Sequence, residues 1–308
     1  MSRPPDPSSV RIPGPWTHRD VSANGIQLHV AELGTGPLVL LLHGFPEFWW
    51  SWRHQLPALA AAGRRAVAVD LRGYGDSDKP PRGYDLWTLS GDVAGLIRAL
   101  GERQADLVGH DWGGILSWCV AALHPRVVRS VAMLAAAHPR AMGQALLRDP
   151  AQRAAARHLA SFQAPWWPER CLTRDGAALV EEILRTGAGP RWCASSEFTE
   201  VARRCREAML IPAAAHCALE YYRWVGRSQF RFDGRRLSHA VDRTVRVPVL
   251  QLHGADDPYV LERTARRSAR WAGEGYRYEV LPGVGHFVQQ EAPERTTALL
   301  TEFLGTSC

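Results

Sequence analysis

Residues 109–113 read Gly-His-Asp-Trp-Gly and place one carboxylate, Asp111, between two glycines. The preceding Ala-Asp-Leu-Val is typical of a buried strand, and residues 112–123 have the pattern of a helix. The glycines allow a tight turn that pushes the aspartate side chain outward, and the dipole of the helix N-terminus favours its ionised form. An aspartate that only caps a helix does not require glycine on both sides. We therefore interpret Asp111 as a nucleophile.

A carboxylate can displace a leaving group from saturated carbon without help from a base, and the product is an ester on the protein itself. Water must then cleave that ester, which calls for a histidine base. His286 lies in a glycine-rich loop near the C-terminus, where the order nucleophile, acid, histidine requires it. Of the two acids in Gly-Ala-Asp-Asp-Pro at 254–258, we expect Asp257 to orient the histidine and Asp256 to form the turn.

Hydrolysis of such an ester also needs backbone N–H groups that hold the developing oxyanion. We expect one from Trp112, directly after the nucleophile, and the other from Phe45, which follows the strand Leu-Val-Leu-Leu-Leu. Pro46 has no N–H to donate, and a cis peptide bond there would fix the loop.

Short β-branched runs alternate with longer amphipathic stretches in the first half of the chain, which predicts βαβ units and a mostly parallel sheet. Asn24-Gly25 predicts an antiparallel hairpin at its start. Strands are predicted at 16–23, 25–34, 37–44, 64–71, 105–110 and 127–134, and helices at 50–62, 86–100, 112–123 and 293–303.

Between the two halves of this pattern the chain becomes helix-rich and shows no clear strand. A sheet that is interrupted and then resumed indicates one core domain with an inserted cap. We predict a loose, proline-rich arm at 1–15, a core at 16–137 and 241–308, and a helical cap at 138–240.

Composition excludes several classes of protein. The 308 residues are 46% hydrophobic, yet no apolar run approaches the roughly 18 residues needed to span a bilayer. The first residues lack the apolar core of a secretory signal, so we expect a cytoplasmic protein without membrane insertion. The net charge is +6, but the arginines are scattered, so nucleic acid is not an expected partner. Six cysteines without paired spacing predict reduced thiols and no metal site.

With these residues in hand, the chain resembles the α/β-hydrolase superfamily and, within it, the epoxide hydrolase branch. The matching segments are HGFPEFWWSWRHQ (43–55), DLRGYGDSDKP (70–80), GHDWGG (109–114), LHGADDP (252–258) and GHFVQQE (285–291). The resemblance implies an α/β-hydrolase fold, with helices on both faces of the sheet and a cap. It also implies that water and a small apolar epoxide are the substrates, with no cofactor, in a monomer or homodimer.

Members of that branch use two cap residues, usually tyrosines, to hydrogen-bond the epoxide oxygen. Opening the ring leaves an alkoxide, which departs well only when a donor supplies a proton. Residues 218–228 are similar to the family's second cap-tyrosine segment, and the alignment favours Tyr222 over Tyr221. The first cap tyrosine is absent, and His158 falls at the matching place. A minority of relatives pair histidine with tyrosine, so two alternatives stay open: His158 with Tyr222, or Tyr222 alone.

Two other hypotheses fit part of the pattern. Haloalkane dehalogenases share the aspartate, the histidine and the tryptophan, but carry a halide-binding asparagine or a second tryptophan. The asparagine directly follows the His-Gly pair, where this chain has Phe45, and halide leaves without needing Tyr222. Fluoroacetate dehalogenases place arginine where this chain has Trp112, which favours an uncharged, apolar substrate here. A non-catalytic receptor on the same fold would not need the nucleophile, acid and base that are all present in order.

Overall fold

The computed structural model describes residues 4–305, in which eight strands form one sheet in the order β1-β2-β4-β3-β5-β6-β7-β8. β1 pairs antiparallel with β2, and β2 with β4, while all other neighbouring pairs are parallel. The mostly parallel α/β architecture predicted from the sequence is confirmed. The strands are β1 (Thr17–Ala23), β2 (Ile26–Leu33), β3 (Leu38–Leu42), β4 (Arg65–Val69), β5 (Ala105–His110), β6 (Val128–Leu134), β7 (Val249–Gly254) and β8 (Tyr276–Leu281).

The central strands are buried along their whole length. Every residue of β3 and of β5 is buried, because these strands lie inside the sheet: β3 is apolar throughout, and β5 also buries Asp106 and His110. The predicted hairpin is also present: Ala23 pairs with Ile26, and both turn residues have left-handed backbone, with φ of 49° at Asn24 and 80° at Gly25. The asparagine–glycine pair tolerates this conformation at little cost.

Helices surround the sheet and continue into the insert. In the core, the predicted helix at 50–62 is divided into a 3₁₀ turn, Trp49–Trp52, and α1. The core helices are α1 (Gln55–Ala61), α2 (Leu86–Ala99), α3 (Trp112–Leu123), α12 (Glu262–Arg266), α13 (Val288–Glu291) and α14 (Pro293–Gly305). The helices between β6 and β7 are α4 (Pro139–Arg148), α5 (Pro150–Ala155), α6 (His158–Ser161), α7 (Trp167–Gly187), α8 (Pro190–Cys193), α9 (Ser196–Met209), α10 (Ala214–Ser228) and α11 (Phe232–Ala240).

The segment between β6 and β7 is described throughout and contains no regular strand, as the sequence predicted. This helical insert also contributes side chains to the hydrophobic core. On α9, Phe198, Val201 and Cys205 are buried in the core of the molecule. Their spacing of three and four residues puts them on one side of the helix.

The prediction of a loose arm is wrong for residues 4–15, the part of the arm that the structure describes. Val10 is buried, and its carbonyl accepts a hydrogen bond of 2.8 Å from the indole N–H of Trp49. Arg11 forms ion pairs with Asp76 and Asp20, each at 2.5 Å. Apolar burial and ion pairing therefore tie this segment to the core, while residues 1–3 of the predicted arm lie outside the described residues.

Residues 4–305 bear on two expectations, one about membrane spans and one about the state of the cysteines. None of the helices there is both long and apolar enough to cross a membrane. The cysteines in this range are free thiols, as the sequence predicted, and three of them are buried: Cys119, Cys205 and Cys217. Cys308 lies outside the described residues.

Candidate active site

Asp111 lies at the turn between β5 and α3, at the carboxyl edge of the sheet. Its backbone has a φ of 47°, which a residue with a side chain rarely adopts and which indicates stored strain. Although it occupies the N-cap position of α3, its carboxylate makes no capping hydrogen bond to the helix. Instead, Oδ2 accepts a hydrogen bond of 3.0 Å from the backbone N–H of Phe45. The side chain is therefore held across the site rather than used to cap the helix.

The glycines around this turn are required by close backbone approach. A Cβ on Gly109 would lie 2.2 Å from the carbonyl oxygen of Gly113, and one on Gly113 would lie 2.1 Å from the carbonyl oxygen of Leu42. Gly44 is equally constrained, because its Cβ would meet that of Asp111 at 2.6 Å. The loop after β3 and the turn after β5 can touch only because these positions lack side chains.

His286 and Asp257 come together from the loops after β8 and β7. Nδ1 of His286 donates to Oδ2 of Asp257 over 2.9 Å, and Oδ1 of the same carboxylate accepts from the backbone N–H groups of Tyr259 and Val260 at 2.8 and 3.0 Å. Nε2 of the histidine lies 3.9 Å from Oδ1 of Asp111. Asp256, the neighbouring acid, is exposed. The order of partners is carboxylate, imidazole, carboxylate.

This arrangement couples the charges of the three groups. Burial would lower the pKa of His286, but the charge of Asp257 and the hydrogen bond to it, together with attraction from Asp111, raise the pKa to about 9. Burial would raise the pKa of Asp257, yet the charge of His286, the hydrogen bond from it and the backbone N–H of Val260 together outweigh burial, and the pKa lies below its ordinary value. Because Asp111 is one of the groups that hold the imidazole pKa up, neutralising that carboxylate would lower it.

The two residues expected to form an oxyanion hole flank the Asp111 carboxylate. The backbone N–H of Phe45 already reaches Oδ2, and Trp112 begins α3 directly after the aspartate. The peptide bond between Phe45 and Pro46 is cis, as suggested from the sequence.

The two adjacent tyrosines of α10 have different surroundings. Tyr221 is fully buried, and its hydroxyl donates to the carbonyl oxygen of Arg72 over 2.8 Å. The ring of Tyr222 contacts those of Phe45 and Trp112 edge-on, with centroids 5.4 and 5.0 Å apart. Burial and the nearby charge of Asp111 raise the pKa of Tyr222 well above 10. Of the two, Tyr222 is the one beside the predicted nucleophile.

His158, the candidate replacement for a cap tyrosine, lies in α6 next to Tyr222. The two ring centroids are 6.5 Å apart, and the His158 ring also contacts those of Tyr259 and Phe162 edge-on at 5.3 and 5.7 Å. Burial lowers the pKa of His158, which favours the neutral imidazole with a single N–H. The structure thus brings His158 to the side of the site that the cap covers, with its ring half-buried.

Sequence reasoning missed a buried polar cluster directly behind these residues. Glu47 accepts from Nδ1 of His110 over 2.7 Å and from the side-chain amides of Gln289 and Gln290 at 3.0 and 2.5 Å. Nε2 of His110 lies 2.9 Å from the carbonyl oxygen of His286. The cluster connects the loops that carry the site. Its signal was available, since all four side chains lie inside the matching motifs, next to residues that the sequence singled out.

A second missed contact fixes the histidine loop to the insert. The carboxylate of Glu291 accepts from the backbone N–H groups of Gly285, Phe287 and Gly189, at 2.8, 2.9 and 2.7 Å. The N–H of His286 donates to the carbonyl oxygen of Gly187 over 2.7 Å. Gly187 and Gly189 belong to the helical insert, so cap and core both determine where the imidazole lies.

Comparison with known proteins agrees with this geometry. The family model described as "alpha/beta hydrolase fold" matches residues 37–293, which is most of the chain. The chain belongs to the α/β-hydrolase fold family.

Individual relatives narrow the assignment. Epoxide hydrolase 4 of Homo sapiens is 31% identical over 307 residues, which cover 97% of this chain and 82% of the relative. Epoxide hydrolase A of Mycobacterium tuberculosis is 34% identical over 321 residues, covering 94% and 98%. The solved structure of an epoxide hydrolase from an endophytic Streptomyces superimposes with a TM-score of 0.82 at 31% identity, covering 94% of this chain and 96% of that one. Within the family, the chain falls in the epoxide hydrolase branch.

Proposed function

We propose that this protein hydrolyses an apolar epoxide to a vicinal diol through a covalent ester on Asp111. The proposal is carried by one observation: a single carboxylate lies between an oxyanion-hole N–H, a charged histidine and a buried tyrosine hydroxyl. Phe45, His286 and Tyr222 supply these three groups. The epoxide hydrolase relatives support the same activity.

In the first step, a carboxylate oxygen of Asp111 attacks an epoxide carbon, a C–O bond to the ring oxygen breaks, and an ester forms. The ring oxygen takes the hydroxyl proton of Tyr222. The raised pKa of Tyr222 keeps that proton on the hydroxyl until a stronger base, the alkoxide, develops. His158, whose ring lies beside that of Tyr222, is the second candidate donor to the same oxygen. Both donors come from the cap, and the nucleophile comes from the core.

In the second step, His286 takes a proton from water, and the resulting hydroxide adds to the ester carbon of Asp111. The negative oxygen of the tetrahedral intermediate is stabilised by the N–H groups of Phe45 and Trp112. The intermediate collapses, and the diol oxygen receives the proton from His286. The carboxylic acid left on residue 111 then returns its proton to the imidazole, which restores the carboxylate and the charged histidine. Ester formation removes a negative charge that raises the histidine pKa, so between the two steps the imidazolium releases its proton, through solvent, to the tyrosinate of Tyr222, and His286 can act as a base.

The experiment that tests this proposal traps the ester. His286→Gln, incubated with styrene oxide, is expected to gain the mass of one epoxide in intact-protein mass spectrometry, because ester formation needs no base and ester hydrolysis does. Asp111→Ala is the control and should gain no mass. Wild-type protein in excess over styrene oxide in heavy-oxygen water should, after one turnover, carry the label on residue 111. Label in the first diol released would contradict the covalent route.

The dehalogenase alternative is tested with the same preparation. Residue 45, where haloalkane dehalogenases carry asparagine, is a phenylalanine whose side chain packs against Phe162 and Tyr222. A phenyl ring cannot donate a hydrogen bond to a departing halide. Halide release from a haloalkane panel, without diol formation from epoxides, would favour that alternative over ours.

A further inference from the structure

We propose that an open cleft in the cap holds the non-reacting part of the substrate, so that the protein prefers epoxides with a large uncharged hydrocarbon arm. This inference rests on the proposed function and names the substrate class of that site. The cleft, here called the cap cleft, has a volume of about 430 Å³. It lies between α6 and α7, and its apolar lining includes Phe162, Trp167, Leu179 and Ile183.

The cap cleft is continuous with the aromatic wall of the active site. Phe162 lines the cleft, and its ring lies 5.1 Å from that of Tyr222 and 5.7 Å from that of Phe45. His158 lines it as well, and its ring lies 6.5 Å from that of Tyr222. The cleft and the site share these rings, so in our proposal the arm of an epoxide bound at Asp111 extends past them into the cleft.

The cleft is also fixed to the loop that carries the catalytic acid. The hydroxyl of Tyr259 donates to the carbonyl oxygen of Ile183 over 2.8 Å, and the Tyr259 ring contacts that of His286 edge-on at 5.2 Å. Since Ile183 lines the cleft, an arm bound there is held at a defined distance from the imidazole. Such remote binding can orient the reacting carbon.

The size of the cleft indicates the size of the arm. Pockets for small molecules have volumes of roughly 300–1,000 Å³, so the cap cleft can take an aryl group or an alkyl chain of several carbons. An epoxide of four carbons leaves it empty. Each buried CH₂ improves binding by about fourfold, so a chain that fills the cleft gains orders of magnitude over one that does not.

The charges of the cleft favour an uncharged arm. Arg174 is the cation among its lining residues, and its guanidinium pairs with the neighbouring Asp175 at 3.1 Å. Glu182 also lines the cleft and forms no ion pair within residues 4–305. A carboxylate at the end of a substrate chain therefore finds no free cation there and meets a like charge.

Ala178→Trp tests the inference, with 1,2-epoxydecane and 1,2-epoxybutane as the long and short substrates. Ala178 lines the cleft and is exposed, so a tryptophan there fills the cleft without entering the core. We expect wild-type kcat/KM to be at least tenfold higher for epoxydecane. Ala178→Trp should lower the value for epoxydecane at least tenfold and leave that for epoxybutane within twofold. Thr186→Trp, exposed on the same helix and not lining the cleft, is the matched control and should change neither.

Other results would overturn the inference. The first is a wild-type preference for epoxybutane. The second is a ratio of kcat/KM for epoxydecane over epoxybutane that Ala178→Trp leaves unchanged. The third is turnover of the 10,11-epoxyundecanoate anion as fast as that of epoxydecane. If Ala178→Trp unfolds, judged by circular dichroism, Leu179→Ala replaces it and should raise KM for epoxydecane while kcat for epoxybutane stays the same. Turnover of neither epoxide by wild type would instead remove the proposed function, and this inference with it.

Discussion

The core and the cap contribute to the site in different ways. On the core side, hydrogen bonds fix each side chain: the backbone N–H of Phe45 holds Asp111, and Asp257 holds His286. On the cap side, His158 and Tyr222 are placed mainly by the edges of neighbouring rings. A buried charge without partners costs far more than a buried neutral donor without them, so the charged core side is the more heavily hydrogen-bonded of the two.

This difference predicts where substitution will be tolerated. The core positions depend on backbone geometry, such as the left-handed conformation at Asp111 and the close approach of Gly109 to Gly113. Few residue types satisfy those constraints. The ring at position 158 of the cap packs edge-on against the rings of Phe162 and Tyr259, contacts that another aromatic ring can also make. We therefore expect core substitutions to have larger effects than cap substitutions.

The largest effect is expected for Asp257→Asn. Asparagine keeps the shape of the acid but removes the charge that stabilises the imidazolium and selects its tautomer, so kcat should fall by about 10³–10⁴. Asp256→Asn, at the exposed neighbouring position, is the matched control and should retain activity within a few-fold. Steady-state kinetics on one aryl epoxide measures both. Similar losses in the two variants would place the orienting acid elsewhere.

Tyr222→Phe is expected to lower the rate of ester formation by about 10²–10³, because the alkoxide loses its proton donor. Tyr221→Phe should leave that rate nearly unchanged, and should instead lower Tm by a few degrees, because it removes the buried hydrogen bond to Arg72. Stopped-flow tryptophan fluorescence and thermal unfolding separate the two outcomes. Exchanged phenotypes would show that Tyr221 is the donor.

A smaller effect is expected for His158→Phe, which keeps an aromatic ring beside Tyr222 but removes the N–H. If histidine shares the epoxide oxygen with Tyr222, the rate of ester formation should fall by about threefold to tenfold, the value of one neutral hydrogen bond. Single-turnover kinetics of this variant measures the change. An unchanged rate would leave Tyr222 as the sole donor and assign His158 to packing.

The smallest effect concerns pH and stability. Folding raises the pKa of His286 from its ordinary 6.5 to about 9, so its contribution to stability is fully present below pH 6.5 and is lost as the pH rises through 9. The Tm of the wild type should therefore decline between pH 6.5 and 9 more than the Tm of His286→Gln does. Differential scanning fluorimetry at several pH values checks this difference, and parallel curves would contradict the ion pair.

Much of the core side could be predicted from sequence. Parallel strands end at one edge of the sheet, so a residue placed just after β5, β7 or β8 has its position in space determined by its position in the chain. Asp111, Asp257 and His286 were identified in this way. Glu47 and His110 were missed although they lie inside the matching motifs, because their partners come from distant loops and only the tertiary contacts show that they pair.

What the sequence alone determined is the class of fold, the turn that presents Asp111, and the chain order of its partners, because each depends on short-range backbone preferences. Only the tertiary structure gave Tyr221 and Tyr222 different surroundings, brought His158 beside the site, and tied Val10 and Arg11, in a segment expected to be loose, to the core. Those outcomes depend on how helices of the insert pack over the sheet, and adjacent residues on one helix face different neighbours only once that packing exists.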